Sequence, residues 1–100
     1  MADVQKLQEK VGSKARELGH SGDPKIILLF LLEELGEVAR AFLKEEGHKE
    51  DNKRIIETYK QEMGDVFFLL LRLAHVKDIN LEEELDHTLQ KLHTRSLEET

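Results

Sequence analysis

The chain reads as an all-α protein, an antiparallel bundle of about four helices completed by homo-oligomerisation. Three observations carry this expectation. Proline occurs once in 100 residues. Helix formers dominate, and the alternation that marks a strand is absent. Two of the helical segments are also apolar on more than one side, which a single small bundle cannot cover.

The first helix is predicted over residues 3 to 18, with Val4, Leu7, Val11 and Leu18 on one stripe and Gly19 just past its end. "HSGDP" is a turn, and Asp23 before Pro24 supplies an N-cap with proline at the first helical position. The second helix then runs from about 24 to 46. "KEEGHKEDNKR" is a charged connector, read as a solvated loop containing Gly47. A third helix is expected over roughly 53 to 77. Asn80, with Glu83 three residues on, makes a capping-box-like start for a fourth at about 81 to 97. No repeat, low-complexity segment or boundary interrupts residues 1 to 100, so they are expected to form one domain.

In the second helix, Ile27, Phe30, Val38 and Ala41 share one face, while Leu28, Leu32, Leu35, Ala39 and Phe42 cover the opposite one. The third carries "VFFLLLRLA", apolar nearly all round. Such helices need burial on two sides. Four helices can cover one side, so a second copy is expected on the other, in a homodimer or homotetramer.

Charge narrows the partners. The formal net charge is -6, from 21 acidic and 15 basic residues, which disfavours a basic face for nucleic acid. The longest uninterrupted apolar run, "IILLFLL", is far shorter than the ~20 residues that span a bilayer. The opening "MADVQKLQEK" lacks the pattern of a signal peptide. There are no cysteines, which removes disulfides and thiolate metal sites and fits a reducing compartment. The expected location is the cytoplasm, and the best partner for so acidic a chain brings positive charge, as a metal ion does.

The acidic residues are unusually placed. "LLFLLEELGEVARAFL", residues 28 to 43, sets Glu33, Glu34 and Glu37 inside the most hydrophobic segment. At ~100° per residue, Glu34 and Glu37 fall on the stripe of Ile27, Phe30, Val38 and Ala41. The third helix repeats the arrangement. "QEMGDVFF" puts Glu62 and Asp65 three apart on a stripe with Ile55, Val66, Leu69 and Leu73. Antiparallel packing lets the two pairs face each other. Glu34, Glu62 and Asp65 have no Lys or Arg three or four residues away, and Glu37 has only Arg40. Carboxylates buried this way must protonate or share a cation. Hard oxygen donors suit Mg²⁺ or Mn²⁺. With no histidine in the repeat, a di-iron site of the Glu-x-x-His type is not supported.

"EELGE" at 33 to 37 followed by "EMGD" at 62 to 65 resembles the E-E-x-x-E … E-x-x-D signature of MazG-type nucleotide pyrophosphohydrolases. The likeness extends from about Pro24 to Arg95, including "DINLEEEL", which is similar to the start of that family's last helix. It implies an all-helical dimer or tetramer that uses Mg²⁺ to hydrolyse nucleoside triphosphates to the monophosphate and pyrophosphate. It further implies that Glu34, Glu37, Glu62 and Asp65 are metal ligands. Glu33 would serve a second metal or orient the attacking water. Lys91 and Arg95, four apart on the last helix, are candidates for contacting phosphates, although the helix dipole alone would favour bases there. Glu82, Glu83 and Glu84 occupy a helix first turn, which the dipole explains.

The five histidines, at 20, 48, 75, 87 and 93, show no metal-ligand spacing. His20 is a candidate for lining a base pocket. With no Trp and one Tyr, no aromatic base clamp is evident. No P-loop glycine–lysine motif is present to cradle β- and γ-phosphates. The expected role is removal of particular or damaged nucleotides. The alternatives are a related helical pyrophosphohydrolase acting on phosphoribosyl-ATP and a non-catalytic oligomerisation module.

Overall fold

The structure, a computed structural model, describes residues 3–46 and 58–99. Four helices follow in order: α1 (Val4–Glu17), α2 (Pro24–Glu45), α3 (Tyr59–Val76) and α4 (Leu81–Glu99). No strand occurs among the described residues. Of the expected connector at 44 to 54, Lys44 and Glu45 belong to α2 and Glu46 is its C-cap, while Gly47 and His48 lie outside the described residues, as does Ile55 of the expected third helix.

Local chemistry sets the helix ends. Asp3 caps α1 by accepting from the Lys6 amide at 2.7 Å, and Asp23 caps α2 by accepting from Lys25 at 2.9 Å, with Pro24 next. Thr58 is extended, and it closes a capping box in which Thr58 and Gln61 each accept from the other's amide. This box starts α3 at Tyr59 rather than at the expected 53, because an extended Thr58 breaks any helix running through it. Asn80 caps α4, its Oδ1 accepting from the amides of Glu82 and Glu83 at 3.0 and 3.2 Å.

Two helices end in the same left-handed turn. After α1, the amides of Gly19 and His20 donate to Arg16 and Ala15, with Gly19 at φ 73°. Leu18, expected on the apolar stripe, therefore stands at the C-cap and is exposed. After α3, the amides of Asp78 and Ile79 donate to His75 and Ala74, and Asp78 takes the positive φ of 55° that glycine would take more easily.

α2 and α3 pack antiparallel. Phe42 meets Tyr59 edge-to-face at 5.5 Å, Glu34 meets Glu62 and Asp65, and a cavity beyond them is lined by Phe30 and Phe68. Positions falling along α2 thus meet positions rising along α3. Glu45 adds a hydrogen bond from the Tyr59 amide at 2.8 Å. α1 lies against α3, close enough at Gly12 for the His75 ring to fill the space a Cβ would need. Gln8 ties this pair to α4: its Nε2 donates to the Ile79 carbonyl at 2.7 Å and its Oε1 accepts from the Leu81 amide at 3.2 Å.

The buried apolar core is small and made mostly of small side chains: Ala15, Ile27, Ala41, Leu71 and Ala74. Much larger apolar residues remain outside. Leu28, Leu32, Leu35 and Phe42 of α2 are exposed, as are Met63, Phe67 and Leu70 of α3. On α4, which packs chiefly against α1, Leu85, Leu89 and Leu92 form a further exposed stripe. The radius of gyration is 16.6 Å, larger than the ~13 Å of a compact chain of this length.

Candidate metal centre

Glu34 projects from the middle of α2, and Glu62 and Asp65 from the first turns of α3. One carboxylate oxygen from each lies within 4.8 Å of the others. Burial is graded across the group. Glu62 is buried, Glu34 is half-buried, and Asp65 is exposed at the mouth. Packing brings them together because each shares a stripe with the apolar residues that join α2 to α3. The N-terminal end of α3, where Glu62 sits, also favours negative charge.

Two unit charges 4.8 Å apart repel by about 3 kcal/mol at an effective dielectric of 20, before the screening that an exposed Asp65 receives. Three carboxylates held this way fit a hard divalent cation. Their oxygens are close enough to share one ion, and Glu34 and Asp65 have no Lys or Arg at helical spacing.

The other acidic candidates stand apart. Glu37, half-buried one turn along α2, forms an ion pair with Arg40. It is the member of the four that has a basic neighbour at helical spacing, and the ion pair takes its carboxylate. Glu33 is exposed beside Glu34. Lys91 and Arg95 are exposed on α4, the helix that packs chiefly against α1.

A cavity of about 470 Å³ adjoins the cluster, with Glu34 and Asp65 in its lining. Its walls are largely apolar, from Ile27, Phe30, Phe68 and Leu69. His20 also lines it and stands edge-on to Phe68 at 6.2 Å. Sequence reasoning passed over another lining residue, Arg72. It is 5% exposed, and its Nε has no hydrogen-bond partner. The signal was present, because "VFFLLLRLA" places one arginine in an apolar run, seven residues after Asp65. The test that singled out the carboxylates would have singled out this cation too.

The model of the MazG nucleotide pyrophosphohydrolase domain matches residues 23–98 of the chain. The fold is similar to the crystal structure of YPJD from Bacillus subtilis, described as a candidate pyrophosphatase. The two share 33% sequence identity with a TM-score of 0.71, over 91% of this chain and 97% of that one. No curated protein matches the chain.

Proposed function

Since the chain belongs to the MazG nucleotide pyrophosphohydrolase family, whose enzymes are metal-dependent, we propose that it is a Mg²⁺-dependent nucleoside triphosphate pyrophosphohydrolase, with Mn²⁺ a possible substitute. Ribo- or deoxyribonucleoside triphosphate would be hydrolysed to the monophosphate and pyrophosphate. The observation that carries this reading is the convergence of Glu34, Glu62 and Asp65 beside a largely apolar cavity of nucleoside size.

Glu34, Glu62 and Asp65 would hold the metal, and Glu37 would join them on leaving Arg40. Bound there, the ion would neutralise phosphate charge and acidify water. The cavity receives the nucleoside, its apolar walls excluding water and fixing the α-phosphorus near the carboxylates. Water attacks that phosphorus, the bond to the bridging oxygen breaks, and pyrophosphate leaves intact. Glu33 orients the water, and Lys91 and Arg95 contact phosphates.

The exposed apolar faces of α2, α3 and α4 support a homodimer or homotetramer in which a neighbouring chain covers them. In this reading the chain is one domain working in the cytoplasm without nucleic acid. No described helix is long and apolar enough to cross a membrane.

The test is a panel of common and modified triphosphates with Mg²⁺, with products separated by chromatography. Monophosphate and pyrophosphate are expected without a diphosphate intermediate. In ¹⁸O-water the label should enter the monophosphate. Diphosphate accumulating with inorganic phosphate would rule the mechanism out.

A further inference from the structure

We propose that Arg72 reads the base: its guanidinium donates to a carbonyl oxygen of the nucleobase, so adenine, the common base without a carbonyl, is disfavoured. This rests on the nucleotide reading above.

A guanidinium is always charged and carries five donors and no acceptor, so its partner must be an acceptor. Arg72 is 5% exposed, its Nε lacks a hydrogen-bond partner, and no described carboxylate is ion-paired with it. A buried cation in that state is strongly unfavourable unless something completes it. Arg72 lines the same cavity as Asp65, so that cavity is where its partner can arrive.

Geometry favours the base over the phosphates as that partner. Asp65 and Arg72 are seven residues apart on α3, two turns and about 10 Å along the axis. With the triphosphate held at the carboxylates, a nucleoside reaching along the helix brings its base to Arg72. The lining between them includes Phe68 and Leu69 of α3 and Ile27 and Phe30 of α2. A flat heterocycle fits such walls, whereas a polyphosphate would find no second Lys or Arg among the lining residues. Gly22, whose added Cβ would lie 3.6 Å from Arg72 Nη2, places the α1–α2 turn beside the guanidinium. Guanine offers O6 and N7 as adjacent acceptors in the arrangement an arginine fork matches. Adenine replaces O6 with an amino donor that would face the guanidinium donors.

The test compares two purines of nearly equal size. For the wild type, kcat/KM for pyrophosphate release from GTP should exceed that from ATP by about 10- to 100-fold, and GMP should bind tighter than AMP in calorimetry. Arg72→Gln, whose amide can accept from N6 and donate to N7 of adenine, should bring the ratio to one or invert it. Arg72→Lys keeps the charge but loses the fork and should lower the ratio. Thermal midpoint and mass in solution are measured for both variants. A wild type indifferent to GTP and ATP overturns the proposal, as does an equal fall on both substrates. Dissociation of the assembly in both variants also overturns it, because Arg72 then pairs across chains. If the wild type cleaves no triphosphate, the pyrophosphohydrolase reading fails, and GMP against AMP binding still decides Arg72.

Discussion

Replacing Glu34 with glutamine removes one charge from a set of three whose oxygens lie within 4.8 Å of one another. Two of the three pairwise repulsions disappear, each about 3 kcal/mol at an effective dielectric of 20. Solvent at Asp65 and relaxation of the side chains reduce that gain, leaving an apo protein more stable by about 1 kcal/mol. The opposite effect appears on adding metal. An ion that binds the folded site at ten times its Kd stabilises the wild type by about 1.4 kcal/mol. For a chain of this size that is roughly 5–10 °C in thermal midpoint. Glu34→Gln should therefore melt higher than the wild type in EDTA and lose most of the Mg²⁺ shift. Differential scanning fluorimetry at fixed protein concentration, with and without millimolar Mg²⁺, measures both effects. A wild type that does not respond to Mg²⁺ would refute the reasoning, and so would a Glu34→Gln variant that keeps the full shift.

Gln8→Ala should cost about 1–3 kcal/mol in urea denaturation, since it strands the Ile79 carbonyl and the Leu81 amide at the α3–α4 turn. Asp78→Gly should raise stability by roughly 0.5–1 kcal/mol in the same assay, because Asp78 holds a φ of 55° that glycine adopts without strain. Leu32→Glu, at a position 59% exposed on the outer face of α2, should lower the mass seen by light scattering toward the 11.6 kDa of one chain. A wild type already at that mass in micromolar solution would contradict the assembly.

Much of the architecture was legible without coordinates. Helix period, the Asp23–Pro24 and Asn80 starts and the Gly19 stop are local, since caps act over three or four residues. The same locality puts Glu34 on the inward stripe of α2 and Glu62 and Asp65 on that of α3. The absence of basic neighbours around those three, and the presence of Arg40 beside Glu37, could also be read directly. Which carboxylates meet was another matter. Side chains on different helices converge according to axial offset and rotation. Those depend on how Ala15, Ala41 and Ala74 let the helices approach and on which residue Thr58 chooses for the start of α3. Tertiary packing therefore gathered Glu34, Glu62 and Asp65 and left Glu37 with Arg40. It also enclosed Arg72 in a cavity and carried Gln8 to a turn 71 residues away. Spacing along one helix fixes direction, but contact between helices is a property of the packed chain alone.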